Sequence, residues 1–571
     1  MGAAEPSASQ TEGRWDGRPV TLYYKPGEGD EGGLGVAEGY RVYPETKWKH
    51  IPAKHIMACV PVPVQDMSAK DDYHFLFVEV IQHAEGDGNA SPVVFKSAIL
   101  TNPPQGLSID YVAPRQGENC WEFRHDPAAV QPNFHVIVST GSGTGLAAEV
   151  WKQLVQPTLE HIKVDESKHY ALHYTDSESS VSHFTRDILL PRANLGICQS
   201  VLLMSGDGGL VDIVNSLLSG NRSQNYRKPN IAIVPLGTGN ALAHSAGITK
   251  DDTFGVKTWL RGGLKGLPLF CARFSPGARL LIDEARQERP LHESDGGPVA
   301  HGAVVCSWGL HAGLVADSDT REFRKFGVDR FKMAAQEALF PSDGTLPHIY
   351  RGKVSILRAG QQHWQPIRQG EHAYVLVTLC SQLEKGFTIS PDTKPLDGKL
   401  RLVHFGPTTG EQAMSIMSRA YHGGQHVEDE NVGYEEIDAL RIDFEEEDAR
   451  WRRVCIDGKI IRVEKGGWIE VTSGQKGVID LILLRDSLYH EDTATIQRHT
   501  SASYTYQTTN FKLSRVYSGL SIRTWLAESP THCTQLAMDK PQPQSSGRQP
   551  RYDLSPTTSR FESRHGLQPY A

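Results

Sequence analysis

The chain has 571 residues, 39% hydrophobic and 22% charged, a composition typical of a globular protein large enough for two or three domains. Its formal net charge of -8 argues against nucleic acid as a partner. The eight cysteines form no CxxC pair, which argues against a zinc site or a disulfide scaffold.

We expect neither a transmembrane segment nor a signal peptide in this sequence. It contains no run of about 18 apolar residues, and the polar N-terminus lacks the apolar core of a secretion signal. We therefore expect a cytoplasmic protein. Nothing in the sequence indicates its oligomeric state.

The first part of the chain predicts a small all-β module. Residues 1–18 are polar, and we expect them to be disordered. Residues 19–125 contain short strand-like segments separated by Gly, Pro, Asn and Asp, a pattern typical of an all-β fold. These segments are VTLYY, HIMACVPV, YHFLFVEVI and PVVFKSAIL.

A different pattern occupies residues 131–265. An apolar strand, a glycine-rich turn and an amphipathic helix occur in that order three times. The spacing predicts that the first helix ends at Pro157. Three such units predict an open α/β lobe with the turns at one edge of its sheet. The three turns are 139–145, 205–209 and 235–240.

The rest of the chain, residues 266–571, predicts a strand-rich domain followed by a low-complexity tail. Residues 266–485 contain seven strand-like segments and one helical segment, which predicts a mostly antiparallel domain. Residues 486–571 are rich in Ser, Thr, Gln and Pro, and we expect them to be largely disordered.

The glycine-rich turns suggest phosphate binding, because glycine permits close backbone approach and a helix N-terminus supplies N–H donors. Each turn alone is a weak signal, and none is a P-loop or a GxGxxG fingerprint. Asp207 lies between two glycines at the end of an apolar strand, where a carboxylate could hold Mg²⁺ or accept a proton. The alternative is an Asx-turn or a helix N-cap, and spacing alone slightly favours it.

The sequence around these turns resembles a known family. VLLMSGDGGLVDIVNSLL followed by PNIAIVPLGTGNALAHSAGI is similar to the paired signature of the diacylglycerol kinase catalytic family. Within that family the chain is most similar to eukaryotic sphingosine (long-chain base) kinases, and the resemblance covers about 131–485. The features that point to this group are Asn240–Ala243, Ser307–Gly309 leading into Ala316–Asp319, and Val155–Pro157.

The resemblance implies a fold and an activity. The fold is the NAD kinase/diacylglycerol kinase-like two-lobe fold, with an ATP-binding α/β lobe at 131–265 and an antiparallel β-sandwich lobe at 266–485 that binds lipid. The module at 19–125 resembles the pleckstrin-homology-like region that precedes some lipid kinases. The implied reaction is transfer of the ATP γ-phosphate, with Mg²⁺, to the primary hydroxyl of a sphingoid base, at a membrane surface that the protein contacts peripherally.

The resemblance also implies residue roles. Asp207 would be the general base, and it is the candidate Mg²⁺ ligand. The residues implied to bind the lipid substrate are Ser205, Gly206, Asp207, Gly208 and Asp319. Those implied to bind ATP are Ser139, Thr140, Gly141, Thr175, Ser179, Ser205, Gly206, Gly208, Asp212, Gly237, Thr238, Gly239, Arg324, Arg330, Asp457 and Gly458.

Three positions depart from the family pattern. Ser139-Thr140 replaces the usual Asn-Pro, Asp212 replaces Glu, and Lys459 replaces the Glu of an Asp-Gly-Glu element. The alternatives are therefore a diacylglycerol or ceramide kinase, a kinase with a soluble acceptor as in NAD kinases and phosphofructokinases, and a catalytically impaired lipid-binding scaffold. The β-rich second lobe argues against the soluble acceptor.

Overall fold

The computed structural model describes residues 10–484 except 41–42, 44–45, 63–71, 82–90, 114–131, 142, 295, 321–322, 324, 327–328 and 368–369. The predicted disordered tail, 486–571, lies outside the described residues. The described part consists of an all-β module, an α/β lobe and an antiparallel β lobe in chain order, which confirms the predicted fold class.

Seven antiparallel strands form the N-terminal module in the order β4-β3-β2-β1-β7-β6-β5. They are β1 (Gln10–Trp15), β2 (Arg18–Lys25), β3 (Gly33–Glu38), β4 (Lys49–Pro52), β5 (Ile56–Pro61), β6 (Asp72–Val80) and β7 (Val93–Thr101). Helix α1 (Gln105–Tyr111) buries Leu107 in the module core beside Leu22 and Phe75. The expectation of disorder over 1–18 is wrong for β1, which pairs with β2 along its whole length.

The module packs directly against the α/β lobe. Met57 of the module lies in one apolar cluster with Trp151 and Trp259 of the lobe. A polar contact adds to this interface, because Nε2 of His161 lies 2.9 Å from Nδ1 of His74. The module is therefore a packed part of the same body as the lobe.

The strands of the α/β lobe are short and mostly buried, as expected for parallel strands covered by helices on both faces. They are β8 (Phe134–Val138), β9 (Tyr170–Tyr174), β10 (Ser200–Ser205), β11 (Asn230–Pro235) and β12 (Gly263–Gly266). The order β11-β10-β8-β9 is parallel throughout. The three glycine-rich turns therefore follow neighbouring strands at one edge, as predicted.

The helices that cover this sheet are α2 (Ala147–Val150), α3 (Gln156–His161), α4 (Ser180–Phe184), α5 (Leu190–Asn194), α6 (Asp207–Ser219), α7 (Ala241–Ser245) and α8 (Val256–Arg261). The predicted apolar stripe of α6 is buried, including Leu210, Ile213, Val214 and Leu217. This stripe anchors the helix to the sheet and fixes the position of its first residue.

The predicted helix end at Pro157 is wrong. A π-turn over Trp151–Val155 joins α2 to α3, and the helix continues to His161. Proline has no N–H and its ring crowds the preceding turn of an α-helix. The wider π-turn in front of Pro157 accommodates both, and a second π-turn, Thr185–Leu189, stands in the same relation to Pro191.

The second lobe is built on one antiparallel sheet of 15 strands. Its strands, together with a separate hairpin of β23 and β24, are β13 (Leu269–Phe274), β14 (Arg279–Ile282), β15 (Gln287–Pro290), β16 (His292–Ser294), β17 (Gly297–Gly302), β18 (Val305–Gly309), β19 (Tyr350–Arg358), β20 (Gln365–Pro366), β21 (Glu371–His372), β22 (Tyr374–Thr378), β23 (Gln382–Glu384), β24 (Phe387–Thr388), β25 (Leu400–Phe405), β26 (Val432–Phe444), β27 (Arg453–Ile456), β28 (Lys459–Arg462) and β29 (Trp468–Gln475). The helices of this lobe are α9 (Leu310–Ser318), α10 (Asp329–Leu339) and α11 (Gly410–Ala420), and its short 3₁₀ turns lie at Gln425–Glu428 and Ala449–Arg452. A further 3₁₀ turn, Ala53–His55, joins β4 to β5 in the N-terminal module.

The last described strand returns to the first lobe. β30 (Asp480–Leu483) lies between β11, to which it is parallel, and β12, to which it is antiparallel. The predicted assignment of 266–485 to the second lobe is therefore wrong for β30, whose apolar residues complete the core of the α/β lobe. The two lobes are thus joined by a chain crossing in each direction. Among the described helices, none is both long and apolar enough to cross a membrane.

Candidate active site

The three glycine-rich turns meet at the carboxyl ends of β8, β10 and β11. A Cβ atom built on Gly206 would lie 2.7 Å from the Cα atom of Gly237, and one built on Gly143 would lie 2.6 Å from it. Only glycine permits this approach of backbone to backbone. In contrast, a Cβ atom on Gly141 or Gly208 would meet no atom of the described residues within 4 Å. The turns therefore pack against one another on one side and leave open space on the other.

Asp207, the first residue of α6, connects two of these turns. Its Oδ2 atom accepts a hydrogen bond of 2.7 Å from the N–H of Ala241, and its Oδ1 atom accepts one of 3.2 Å from the N–H of Leu242. These are the first N–H groups of α7, so the carboxylate caps a helix other than its own. The alternative of a cap on its own helix is not observed, because Gly206 is the N-cap of α6.

The environment of Asp207 acts on its acidity in two opposing ways. Burial raises the pKa of Asp207 above its ordinary value, and the two N–H donors from α7 partly offset that rise. A carboxylate offers about four lone-pair positions, so two remain after these bonds. Residue 207 as a whole is only partly buried.

Asn240 fixes the third turn, a role that the sequence left unassigned. Its backbone is left-handed, with a φ of 52°, and asparagine adopts this conformation more readily than most residues. Its Oδ1 atom accepts from the N–H of Gly237 and its Nδ2 atom donates to the C=O of Gly237, both at 2.8 Å. Gly237 is buried by this clamp, whereas Thr238 and Gly239 lie at the partly exposed rim. The sequence feature that could have indicated this role is an asparagine directly before a short apolar helix.

The first turn is tied to the strands on both sides. Thr140 donates its N–H to Oγ1 of Thr175 at 3.2 Å and its hydroxyl to the C=O of Thr175 at 2.8 Å. Ser139 donates its N–H to the C=O of Met204 at 3.0 Å. The structure therefore brings Ser139, Thr140 and Thr175 together beside the open position at Gly141.

A cleft of about 300 Å³ opens beside Thr175. Ser179 directly precedes α4, whose first residue lines the cleft. Burial lowers the pKa of His173 in the lining and that of the neighbouring His135 to about 3, so both imidazoles are neutral near neutral pH. The lining also carries the carboxylates of Asp176 and Asp187, whose pKa values are lowered by hydrogen bonds from Ser180 and Arg186. The lining residues are Ile137, His173, Tyr174, Thr175, Asp176, Ser180, Val181, His183, Phe184, Asp187 and Ile188.

We call the space between the glycine-rich turns of the α/β lobe and the β27–β28 hairpin of the second lobe the crevice. Ser205 does not line it with its side chain, which differs from the expectation. It is buried, and a Cβ atom on Gly209 would come within 2.6 Å of its hydroxyl oxygen. The hydroxyl therefore packs beneath the first turn of α6. Arg324, expected to bind phosphate, lies outside the described residues.

Asp457 is held by the backbone of another element. Its carboxylate accepts three hydrogen bonds, from the N–H groups of Ala303 (2.6 Å), Val304 (3.1 Å) and Val305 (2.6 Å). Burial raises the pKa of Asp457 to about 7, the three N–H groups oppose this, and the nearby charge of Asp207 adds to it. Gly458, the next residue, is exposed with a φ of 86°.

Asp212 and Lys459, two of the three departures from the family pattern, contact each other. The ammonium of Lys459 forms an ion pair with Oδ1 of Asp212. Asp212 belongs to α6 and Lys459 begins β28, so the pair spans the two lobes. The sequence offered no signal for this contact, because its partners are 247 positions apart.

Asp319 and Arg330 also form a pair. Nη1 of Arg330 lies 3.2 Å from Oδ1 of Asp319, which directly follows α9. The Asp319 side chain is 41% exposed and that of Arg330 is 15% exposed. The structure therefore joins a residue expected to bind the lipid to one expected to bind phosphate.

A metal site made of protein side chains alone is not found among the described residues, where no three His, Cys, Asp or Glu groups converge. Mg²⁺ in phosphoryl-transfer sites is usually held by one or two carboxylates together with substrate phosphates. Asp207, with lone pairs left on its oxygens, fits that role. Asp457 is less suited to bind Mg²⁺, because its carboxylate already accepts hydrogen bonds from three backbone N–H groups.

Comparison with known proteins agrees with this geometry. Residues 133–270 match the family model of the diacylglycerol kinase catalytic domain. Sphingosine kinase 1 of Mus musculus is 22% identical over 323 residues, which cover 51% of this chain and 77% of that protein. Sphingosine kinase 1 of Homo sapiens is 24% identical over 45% of this chain and 62% of its own length.

Two further matches cover other shares of the chain. Sphingosine kinase 2 of Arabidopsis thaliana is 25% identical over 42% of this chain and 44% of its own length. A crystal structure of a diacylglycerol kinase from Bacillus anthracis matches 63% of this chain and 99% of its own, at 13% identity and a TM-score of 0.38, too low to add to the fold described above. Residues 133–270 are therefore similar to the diacylglycerol kinase catalytic domain, and the three curated relatives named here are sphingosine kinases.

Proposed function

We propose that the protein transfers the γ-phosphate of ATP to the primary hydroxyl of a sphingoid base at a membrane surface. The observation that carries this proposal is the position of Asp207, whose carboxylate two N–H groups hold where the second and third glycine turns meet. Phosphoryl transfer depends on positioning and charge neutralisation more than on covalent chemistry. A fixed carboxylate between two turns suited to phosphate meets that need.

The nucleotide would occupy the open side of the turns. The positions over Gly141 and Gly208 have room for a triphosphate, and the 13-residue helix α6 directs N–H donors and a partial positive charge toward it. The cleft beside Thr175 would take the nucleoside end. Mg²⁺, when bound, would neutralise phosphate charge.

Asp207 would act as the general base. Its free lone pairs would accept the proton of the lipid hydroxyl while that oxygen attacks the γ-phosphorus and ADP leaves. A pKa raised toward the working pH makes a carboxylate a stronger base, and the bonds to Ala241 and Leu242 keep it oriented.

The acceptor would bind through the second lobe near α9. Asp319 presents a partly exposed carboxylate there, which suits the ammonium group of a sphingoid base. Diacylglycerol and ceramide carry no such cation, so this residue favours the sphingoid base. Deeper in the lobe, the hydroxyl of Tyr374 is buried without a hydrogen-bond partner among the described residues, and its ring centroid lies 6.2 Å from that of His311. A polar head group would satisfy it.

A lipid panel assay tests the proposal. Purified protein with labelled ATP and Mg²⁺ should phosphorylate sphingosine, dihydrosphingosine or phytosphingosine in preference to diacylglycerol and ceramide. Asp319→Ala should raise the KM for sphingosine by about tenfold, through loss of a charge-assisted contact. The exposed Asp283, paired with Arg286, provides the matched control Asp283→Ala.

Two results would contradict the proposal. Preferential transfer to diacylglycerol or ceramide, unaffected by Asp319→Ala, would assign the protein to the first alternative. Transfer to no lipid, with lipid binding retained, would support the catalytically impaired scaffold.

A further inference from the structure

Lys459 lies in the crevice but has no part in the mechanism above. It begins β28, directly after the Asp457-Gly458 turn of the second lobe. Its ammonium pairs with Asp212 on α6 of the first lobe. The pair therefore bridges the crevice at the helix that begins with Asp207.

The ion pair lies beside the open space of the site. Gly208 and Asp212 are four residues apart on α6, so they lie on the same helix face, one turn apart. A Cβ atom on Gly208 would meet nothing within 4 Å. A ligand in that space would therefore lie within reach of the flexible four-carbon side chain of Lys459.

Burial and charge make the pair exchangeable. The side chain of Lys459 is 37% exposed, whereas that of Asp212 is 17% exposed. Burial raises the pKa of Asp212, Lys459 lowers it, and the charge of Glu178 raises it again. A neighbouring cation therefore favours the ionised form of Asp212, while the partly exposed ammonium of Lys459 is open to a competing anion.

We propose that Lys459 is an exchangeable phosphate ligand of the nucleotide site. In the free protein its ammonium neutralises Asp212. When a nucleoside di- or triphosphate fills the space over Gly208, the ammonium of Lys459 moves to its β-phosphate or, in a triphosphate, its β- and γ-phosphates. Asp212 is then left without a cation, so a divalent cation and the nucleotide bind cooperatively. This inference rests on the proposed function, because it requires a nucleotide in that space.

Titration calorimetry with ATP, ADP and AMP, each with and without Mg²⁺, tests the inference. Lys459→Met should weaken binding of ATP and ADP by about tenfold and that of AMP by less than about twofold. Asp212→Asn should bind ATP without Mg²⁺ at least as tightly as the wild type, because Lys459 has lost its competitor. It should also lose most of the gain in affinity that Mg²⁺ brings.

The control is Lys465→Met, which removes an exposed lysine paired with Glu447 and should change none of these affinities. An ion pair that only joins the lobes would behave differently. Both crevice substitutions would then lower the melting temperature and weaken the three nucleotides equally, and the inference would be overturned. If the wild type binds ATP and Lys459→Met binds it equally well, the inference fails alone. If the wild type binds no adenine nucleotide, the proposed function fails first.

Discussion

Two aspartates in the crevice, one from each lobe, are bound by backbone N–H groups of another element, but to different extents. Asp207 accepts two such bonds and remains partly exposed. Asp457 accepts three and is 8% exposed. Their charges interact, and burial raises the pKa of both.

The carboxylate of Asp207 can therefore still bind a ligand, whereas that of Asp457 stabilises the fold. Through its hydrogen bonds Asp457 holds Ala303 and Val304, which join β17 to β18, and Val305, the first residue of β18, against the β27–β28 hairpin. We therefore propose that Asp457 positions the crevice wall, although the family resemblance implies contact with ATP. Asp207 keeps free lone pairs and is the residue proposed to react. Four substitution experiments test this comparison.

The largest effect is expected for Asp207→Asn. An amide cannot accept the hydroxyl proton, so the rate of transfer should fall by about a thousandfold. Only one oxygen remains for two N–H donors, which should cost about 1–2 kcal/mol of unfolding free energy. Initial rates and urea denaturation measure the two effects, with Asp283→Asn as the control. A variant that keeps more than a tenth of the activity would contradict the role of Asp207.

Asp457→Ala should act mainly on stability. It leaves three buried N–H groups without an acceptor, which should cost on the order of 3 kcal/mol or more. Urea denaturation measures the loss. The fraction of Asp457→Ala that folds should have a KM for ATP within a few-fold of the wild-type value. A stable variant with a greatly raised KM would show that Asp457 contacts the nucleotide after all.

The pH dependence of stability should identify Asp457 as well. The pKa of Asp457 rises from 3.8 to about 7 on folding. Between these two pH values the folded protein therefore binds a proton at Asp457 more tightly than the unfolded chain does. This contribution is complete below pH 3.8 and is lost as pH rises to about 7, at about 1.4 kcal/mol per unit. The melting temperature of Asp457→Asn should therefore fall less than that of the wild type between pH 5 and 7. Parallel curves for the two proteins would refute the assignment.

The smallest effects on stability distinguish the two sides of the turns. Gly206→Ala places a Cβ atom 2.7 Å from backbone and should destabilise the fold by about 1–3 kcal/mol. Gly208→Ala meets nothing within 4 Å and lies in a helix, so it should be neutral or stabilising by up to about 1 kcal/mol. If a ligand fills that space, Gly208→Ala should nevertheless weaken ATP binding, as calorimetry would detect. Unchanged affinity would place the nucleotide elsewhere.

Much of the site could be predicted from the sequence because it is local. Apolar runs followed by glycine turns and helix stripes identified β8, β10 and β11, and parallel strands bring their carboxyl ends to one edge. The convergence of the three turns follows from that order.

The rest depends on contacts between distant parts of the chain. The partners of the Asp457 carboxylate lie 152–154 positions away, and Lys459 reaches Asp212 across 247. β30 joins the first lobe although more than 200 residues of the second lobe precede it. No periodicity or spacing encodes such pairings, since they depend on how the lobes pack.

A crystal structure of the wild-type protein with Mg²⁺ and a non-hydrolysable ATP analogue tests the proposed role of Asp207 most directly. We expect the triphosphate in the open space over Gly141 and Gly208, with its terminal phosphoryl group facing the carboxylate of Asp207. A nucleotide bound elsewhere, or an Asp207 side chain turned away from that phosphoryl group, would contradict it.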